Sequence, residues 1–334
     1  MAEGADRLSH SHPLKVGVVG VGYLGRFHAL IYARLEQVEL VGVCDTDPER
    51  AAGIAAEAGC AAWDDPFALI GRVDAVSIAV PTRAHHAVAC AYLEQGIHVL
   101  LEKPLAVDAQ EGAEIVRAAE QHDAVLQVGH LERFNAGVMA LAARIDAPRY
   151  IEAQRMGGFV ERATDVDVVA DLMIHDIDII LALVDADLID VRAVGTPVLT
   201  PRVDIASARL EFSNGTVANA VASRVSDKKT RRIRVFQPRG YLSLDFIGQT
   251  LDSAAPAQSG EGQRREIQRS RVMVELVQPL DREIEAFIQC LRTQERPLVD
   301  GHTGLRALEV ALQVQASIAS QQSALPTHPD HLRG

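Results

Sequence analysis

The stretch LKVGVVGVGYLGRFHALIYARL, Leu14–Leu35, decides the fold of the first part of the chain. Its first seven residues predict a buried strand, and the residues from 23 onward have the apolar spacing of a helix. Between them lies the turn Gly20-Val-Gly22-Tyr-Leu-Gly25, and Asp45 ends the next strand twenty residues later. A lone GxGxxG is a weak signal. A strand before it, a helix after it and an acidic residue at this distance together predict a dinucleotide-binding site.

Each glycine of this turn has its own use in the predicted site. Gly20 permits the tight turn, Gly22 lets a pyrophosphate approach the backbone, and Gly25 lets the helix pack closely on the strand. Backbone N–H groups where the helix begins, at Tyr23 and Leu24, then offer hydrogen bonds and the positive end of the helix dipole to the phosphates.

Asp45 predicts which nicotinamide cofactor binds. Its carboxylate is placed to accept hydrogen bonds from the adenosine ribose, and its charge repels a 2′-phosphate. Thr46, the next residue, supplies no compensating cation. We therefore predict NAD as the cofactor rather than NADP.

Outward from this stretch, short apolar runs alternate with helical patterns as far as about residue 128. Strand-like runs at 38–45, 74–80, 98–103 and 124–129 are separated by helix-like segments, which predicts βαβ units. After about residue 148, strand-like runs follow one another without helices between them, and residues 252–265 have the composition of an exposed flexible loop. The predicted fold class is α/β, with an N-terminal doubly wound parallel sheet and a C-terminal α+β domain on a mostly antiparallel sheet.

The same patterns predict the domain boundaries. We expect a flexible leader over residues 1–13, a cofactor-binding domain over 14–130 and a second domain over 131–334. The leader lacks the apolar core of a signal peptide. Two helical patterns close the chain, at about 281–294 and 302–321, and they can pack back on the first domain.

Composition excludes several classes of partner. The chain has 334 residues, of which 48% are hydrophobic, so it can bury more than one core. Its net charge of −12 argues against nucleic acid as a partner, and we expect no membrane partner because no apolar run is long enough without charge. The four cysteines lack CxxC spacing, so we expect no metal site, no disulfide framework and a cytoplasmic location.

The stretch ADLMIHDIDIILALV, residues 170–184, is apolar enough for a buried helix but carries four polar groups. At about 100° per residue, Asp171, His175 and Asp178 share one stripe, at about 0°, 40° and −20°, whereas Asp176 lies at about 140°. Buried charge is costly unless it is paired or used, so the stripe should face a pocket or a partner. The alternative is a histidine that the aspartate one turn away satisfies, with a structural role only.

Three further motifs join the glycine-rich turn, and with GVGYLGRFH they resemble one protein family. They are AVPTRAHHAVA (79–89), LEKPLA (101–106) and DLMIHDID (171–178). The set resembles the glucose–fructose oxidoreductase/inositol dehydrogenase family, Gfo/Idh/MocA, over nearly the whole chain. The resemblance implies a nicotinamide-binding Rossmann domain and a substrate domain on an open sheet that also forms homodimers or homotetramers. It further implies oxidation or reduction of a sugar or polyol hydroxyl.

The resemblance also implies catalytic roles for three residues. The family carries a catalytic lysine in EKP, here Lys103, and an aspartate and histidine four apart, here Asp171 and His175. The family often has glycine in a DxGxH pattern, where this chain has Met173. Lys103 can act as the base that removes the hydroxyl proton or as a cation that stabilises the alkoxide. His175 hydrogen-bonds the same hydroxyl, and Asp171 orients the imidazole of His175. Which of Lys103 and His175 takes the proton is open.

Two longer stretches resemble one branch of the family. QVGHLERFNAGV (127–138) and TDVDVVADLMIHDID (164–178) are similar to the UDP-N-acetylglucosamine 3-dehydrogenases. This resemblance implies a nucleotide sugar as substrate and oxidation of its C3 hydroxyl to a ketone. A partner aminotransferase would then use the ketone to make an amino sugar for lipid A.

The remaining candidate site residues follow from position and charge. Pro81 and Thr82 should line the cofactor, since they follow a strand and doubly wound sheets bind ligands there. His85 or His86, at the start of the next helix, is the candidate to approach the nicotinamide. Glu102 and Lys103 are further candidates for cofactor contact, with the alternative that Glu102 only positions Lys103. An acidic protein needs local polar and cationic groups for an anionic substrate. The candidates for that role are His130, Arg133, Asn135, Arg155 and Arg162.

Two other functions compete with a nucleotide-sugar dehydrogenase. The first keeps the chemistry but acts on a free polyol or sugar, such as an inositol. The second is a non-catalytic, nicotinamide-sensing regulator on the same fold. Intact Lys103, Asp171 and His175 argue against the regulator, because a sensor needs no base.

Overall fold

The computed structural model describes residues 12–159, 166–257, 267–275 and 277–324. Contacts divide the chain into two compact units. The first contains the chain up to Asn135 and the segment Val277–Glu309. The second contains Ala136–Leu276 and the chain from Val310 onward. This division falls five residues after the boundary that the sequence predicts at residue 130.

The first unit is built on a six-stranded parallel sheet with the strand order 3-2-1-4-5-6. Its strands are β1 (Leu14–Val19), β2 (Val38–Cys44), β3 (Ala61–Trp63), β4 (Ala75–Ile78), β5 (His98–Glu102) and β6 (Leu126–Gly129). The predicted doubly wound sheet is therefore confirmed, although the sequence did not predict the three-residue strand β3. Because the strand order reverses between β1 and β4, a crevice opens at the carboxyl ends of these two strands.

Helices flank this sheet, and their capping is encoded locally. They are α1 (Tyr23–Arg34), α2 (Pro48–Ala58), α3 (His85–Leu93), α4 (Ala109–Gln121), α7 (Pro279–Thr293) and the start of α8 (Gly301–Ala324). The Asp47 side chain accepts the backbone N–H of Arg50 where α2 begins, and Asp108 accepts that of Glu111 where α4 begins. Such caps satisfy N–H groups that the first turn of a helix leaves without partners.

Helix α7 completes the core of the first unit from the far end of the chain. Its buried side chains Ile284, Phe287, Ile288 and Leu291 belong to the same cluster as Leu14, Val16 and Tyr32 of β1 and α1. At about 1.5–3 kcal/mol for each large apolar side chain, this helix contributes several kcal/mol to the stability of the sheet.

The second unit is built on an eight-stranded sheet with the order 14-13-12-11-7-10-9-8. Its strands are β7 (Tyr150–Met156), β8 (Leu188–Thr196), β9 (Ile205–Phe212), β10 (Val217–Ser223), β11 (Thr230–Gln237), β12 (Gly240–Asp245), β13 (Thr250–Pro256) and β14 (Ile267–Met273). Every pair is antiparallel except β7 with β10. The predicted mostly antiparallel sheet is confirmed, with β7 as a strand that the sequence did not predict.

The flexible loop predicted over residues 252–265 is wrong for its first part. Residues 252–256 belong to β13, and residues 258–265 lie outside the described part of the chain. Ser, Ala and Pro are weak strand formers, but here cross-strand pairs hold the segment: Ser253 hydrogen-bonds Ser270 at 2.7 Å and Arg271 donates to Asp252. Pairing with an edge strand thus overrides local composition.

Helices α5 (Ala136–Ala142) and α6 (Ile174–Leu183) also belong to the second unit. Helix α6 contacts β7 and β10, and the buried side chains of β10 are small. On β10 these are the buried residues Ala218, Ala220 and Ala222, which leave room for the apolar surface of α6. Within the described ranges, no helix combines the length and apolarity needed to cross a membrane.

A buried ion pair fixes the loop that leads into β9. Oδ2 of Asp204 accepts the backbone N–H groups of Val198, Leu199 and Thr200 at 2.6–2.8 Å. Its other oxygen, Oδ1, accepts Nε of Arg224 at 2.8 Å. Burial alone would raise the pKa of Asp204, but these donors outweigh it and hold the pKa well below its usual range.

Candidate active site

The glycine-rich turn lies at the crevice and leaves space for a ligand. Gly20 has a φ of +83°, which favours glycine, and a Cβ added at Gly25 would lie 1.8 Å from the carbonyl oxygen of Gly20. A Cβ at Gly22 would meet nothing within 4 Å. Gly22 also precedes α1, where no side chain caps the first turn. The turn therefore fits a dinucleotide pyrophosphate, with Tyr23 and Leu24 opening the helix as predicted.

Asp45 follows β2 at the edge of this turn, and three donors hold its carboxylate. Oδ2 accepts the N–H of Val21 at 2.9 Å, while Oδ1 accepts the N–H of Asp47 at 3.0 Å and Nη1 of Arg50 at 3.1 Å. The sequence did not predict Arg50 as the cation beside Asp45, because α2 brings it there from five residues away. The carboxylate is fixed where a Rossmann fold binds the adenosine ribose.

Asp45 predicts a measurable cofactor preference. Asp45→Asn keeps an oxygen for the Val21 N–H but removes the charge that repels a 2′-phosphate. We expect the ratio of the dissociation constants of NADPH and NADH, measured by fluorescence titration, to fall about tenfold.

Asp47 provides the matched control, because its carboxylate also contacts Arg50 but is half-exposed. Asp47→Asn should change the ratio less than about threefold, since solvent screens an exposed charge. An unchanged ratio in Asp45→Asn would contradict this role of the Asp45 charge.

Pro81, Thr82 and His85 follow β4, the other strand of the crevice. Pro81 precedes a short 3₁₀ turn over Thr82–Ala84, and His85 is buried behind it. Nδ1 of His85 lies 2.9 Å from the carbonyl oxygen of Pro104, and Nε2 lies 3.0 Å from that of Val80. Burial lowers the pKa of His85. This side chain therefore bridges the ends of β4 and β5, and its contact with the nicotinamide stays a prediction.

Lys103 follows β5, and buried polar side chains fix the residue before it. Oε1 of Glu102 lies 3.1 Å from Nε2 of His28, and a Cβ added at Gly129 would lie 2.9 Å from Oε2 of Glu102. Glu283 of α7 joins this cluster, in which potential ligand atoms of His28, Glu102 and Glu283 lie within 4.8 Å of one another. Glu102 is thus held by its hydrogen bond to α1 and by close packing against β6, which restrains the main chain that leads into Lys103.

His130, Arg133 and Asn135 follow β6, the strand beside β5. Glu102 and Gly129 are register partners, so Lys103 and His130 are the next residues on two neighbouring strands. Asn135 donates to buried Glu132 at 3.2 Å, which fixes the turn after β6. Within the first unit, the structure therefore brings His130 and Arg133 to the same sheet edge as Lys103.

Asp171 and His175 lie in the second unit, on two kinds of helix. Residues Val169–Met173 form a π-helical turn, and α6 begins at Ile174. The sequence predicted one regular α-helix, so its angles do not hold through the first turn. Asp171 and His175 are half-buried, whereas Asp178 is buried. Single π turns occur often at functional sites.

Asp167 anchors this π turn. Its Oδ1 accepts the N–H groups of Val169 and Ala170 at 3.0 and 2.9 Å, and its Oδ2 accepts Nε2 of Gln315 in α8 at 2.8 Å. The backbone that carries Asp171 is therefore tied to both its own first turn and the closing helix.

Arg155 is buried on β7, where its charge is balanced. Nη2 of Arg155 lies 2.9 Å from Oδ1 of Asp176, and its guanidinium lies 5.6 Å from the ring centre of Phe246. Asp176 is the polar residue that the helical angles put off the stripe. Contact of Arg155 with substrate stays a prediction, and Arg162 lies outside the described residues.

Two family models match most of the chain. Residues 14–130 match the oxidoreductase family with an NAD-binding Rossmann fold, and residues 137–243 match the GFO/IDH/MocA C-terminal domain. The chain belongs to the Gfo/Idh/MocA oxidoreductase family. The first unit of this family member is thus an NAD-binding Rossmann domain, and the predicted family and cofactor are confirmed.

Known members of the Gfo/Idh/MocA family resemble this chain to different degrees. A UDP-N-acetylglucosamine 3-dehydrogenase from Acidithiobacillus ferrooxidans is 41% identical, over 91% of this chain and 97% of that enzyme. Its solved structure has a TM-score of 0.87, at 40% identity over 92% of this chain and 98% of that one. The scyllo-inositol 2-dehydrogenase (NAD(+)) of Bacillus subtilis is more distant, at 26% identity over 96% and 97% of the two chains.

Proposed function

We propose that this oxidoreductase oxidises the C3 hydroxyl of UDP-N-acetylglucosamine to a ketone. The observation that carries the proposal is 41% identity to an enzyme of that name over nearly the full length of both chains. The NAD-binding turn and the carboxylate of Asp45 support it, because a dehydrogenase of this kind needs a nicotinamide cofactor.

Bound NAD would accept the hydride from the carbinol carbon. The residues of this chain must then deal with the negative charge that develops on the hydroxyl oxygen, either by removing its proton or by stabilising the alkoxide. Lys103 either takes this proton or, as a cation, stabilises the developing alkoxide. The fixed main chain around Glu102 supports this role, since a base must be held within hydrogen-bond reach of its proton.

His175 and Asp171 have supporting roles in the proposal. His175 hydrogen-bonds the reacting hydroxyl, and Asp171 fixes the position and tautomer of the imidazole. The half-buried π turn that carries Asp171 supports a functional role, because an anchored backbone fixes the direction of a side chain.

The assembly and pathway are also proposals. We infer a homodimer or homotetramer in the cytoplasm that passes its ketone to an aminotransferase. Four cysteines that form no disulfide support a reducing compartment. The ketone product has the carbonyl group that an aminotransferase requires.

A second candidate substrate is a free polyol. Inositol dehydrogenases match nearly the whole chain at 26% identity, so the family supports inositol oxidation on the same fold. Uridine nucleotide recognition separates the two candidates.

The test uses stoichiometric enzyme with NAD and four compounds: UDP-N-acetylglucosamine, UDP-glucose, glucose and myo-inositol. The absorbance of reduced nicotinamide is followed, and any ketone is trapped for mass analysis. Stoichiometric enzyme is needed because an unfavourable equilibrium would hide turnover. We expect a signal confined to UDP-N-acetylglucosamine. A signal with glucose or inositol alone would contradict the proposed substrate, and silence with all four would favour a non-catalytic sensor.

A further inference from the structure

His130 is a buried residue, and both its backbone N–H and its carbonyl oxygen are hydrogen-bonded. Only 1% of its surface is exposed, at the carboxyl end of β6. Its N–H donates to the carbonyl oxygen of Val128 at 2.7 Å, and its carbonyl oxygen accepts the N–H of Arg133 at 3.0 Å. Neither ring nitrogen has a hydrogen-bond partner in the structure. The backbone therefore fixes where the imidazole lies, and the imidazole itself bonds to nothing.

The other buried histidines of the described chain behave differently. His28 reaches Glu102 through Nε2, and both nitrogens of His85 lie within 3.0 Å of backbone carbonyl oxygens. Buried polar groups are hydrogen-bonded in the large majority of cases, because leaving one unpaired costs free energy. A buried histidine with two unpaired nitrogens therefore indicates a group that awaits a ligand.

The surroundings of His130 determine what kind of ligand it fits. Burial, Lys103 and Arg133, in that order, lower the pKa of His130 to about 3. The ring is therefore uncharged near neutral pH, with one N–H donor and one lone-pair acceptor. A phosphate would bind better to a cation such as Arg133. A donor and acceptor on one uncharged ring instead suit a hydroxyl group.

We propose that His130 binds an uncharged hydroxyl of the sugar ring, beside the carbon on which Lys103 acts. The inference rests on the proposed sugar substrate and makes His130 a specificity-determining residue. A site whose buried polar group pairs only with the correct substrate rejects an analogue that lacks the hydroxyl, because the group is then left unpaired. The carboxamide of the nicotinamide also carries a donor and an acceptor, so the test separates the two.

The test compares His130→Leu and His130→Gln with wild type in two measurements. In the enzyme without ligands, His130→Leu should keep or raise the melting temperature, since it replaces an unpaired buried polar group with an apolar one of similar size. His85→Leu is the matched control for stability and should lower the melting temperature, because it removes the ring N–H that a buried backbone carbonyl oxygen accepts. In turnover, His130→Leu should lower kcat/KM for UDP-N-acetylglucosamine about 100-fold or more, with the dissociation constant of NADH unchanged. His130→Gln should recover part of this loss.

Several results would overturn the inference. If His130→Leu lowers the melting temperature as much as His85→Leu does, His130 has a structural role and the inference fails. Full activity in a stable His130→Leu would remove any role in binding. A variant that loses NADH affinity but keeps its KM for the sugar would assign His130 to the carboxamide. If wild type oxidises no sugar, the proposed function fails, and the stability measurement still decides whether His130 is structural.

Discussion

Lys103→Met should lower kcat about 10³-fold while leaving the dissociation constant of NADH within about threefold of wild type. Methionine has a similar length but no amine, so it can neither take a proton nor stabilise an alkoxide. General acid–base catalysis contributes about 10²–10⁴-fold, which sets the size of the expected loss. NADH affinity should survive because the proposed contacts to its phosphates and ribose come from the glycine-rich turn and Asp45, which do not depend on the Lys103 amine. Single-turnover absorbance and fluorescence titration measure the two quantities.

Lys103→Arg separates the two roles of the amine. Arginine keeps the positive charge but does not deprotonate in proteins, so it can stabilise an alkoxide but cannot act as a base. A variant as inactive as Lys103→Met would favour Lys103 as the base, whereas partial activity would favour His175. Turnover of Lys103→Met close to that of wild type would contradict any catalytic role for the amine.

Asp204→Ala should lower the free energy of unfolding of the second unit by about 3–5 kcal/mol. The change removes the acceptor of the backbone N–H groups of residues 198–200 and leaves the buried guanidinium of Arg224 without its carboxylate partner. Denaturation of the full chain by guanidinium chloride, followed by circular dichroism, measures the loss. Asp190→Ala is the matched control, because Asp190 pairs with exposed Arg192 and its loss should cost less than about 1 kcal/mol. Equal effects of the two variants would contradict the role of the buried pair.

The same carboxyl group predicts an acid-sensitive second unit. The pKa of Asp204 lies below its unfolded value of about 3.9. The unfolded chain therefore binds the proton more readily, and stability contributed by Asp204 is present above about pH 4 and is lost as pH falls through the lower folded pKa. Asp204→Asn should reduce this pH dependence, which unfolding curves between pH 5 and pH 2 would measure.

The sequence predicted the two sheets because each depends on local pattern. Alternating apolar runs and helical segments are enough to predict a parallel sheet, and closely spaced strands without helices predict an antiparallel one. The prediction failed where pairing decides the structure. β3 has only three residues, and β13 has weak strand formers that an edge partner holds in place.

The motif residues of the candidate site were predictable from the sequence, but the residues that surround them were not. Gly20, Asp45 and Lys103 carry signals in short motifs next to strands. The residues around them were not predictable, because they come from distant parts of the chain: His28 and Glu283 both lie close to Glu102, but they come from opposite ends of the sequence. A charged residue on the apolar face of an amphipathic helix, such as Glu283 in α7 beside Phe287 and Leu291, is the signal that could have found this cluster.

Synthesis on the ribosome gives the placement of α7 a further consequence. The last strand of the first sheet is complete at Gly129, but the helix that covers β1 and α1 begins only at Pro279, 150 residues later along the chain. At ordinary translation rates of about 5–20 residues per second, the nascent sheet waits roughly 8 to 30 seconds with that apolar surface uncovered. A chaperone bound to the emerging chain would protect it during this time. For the same reason, a gene fragment that ends after residue 135 should yield an aggregating product rather than a portable NAD-binding module.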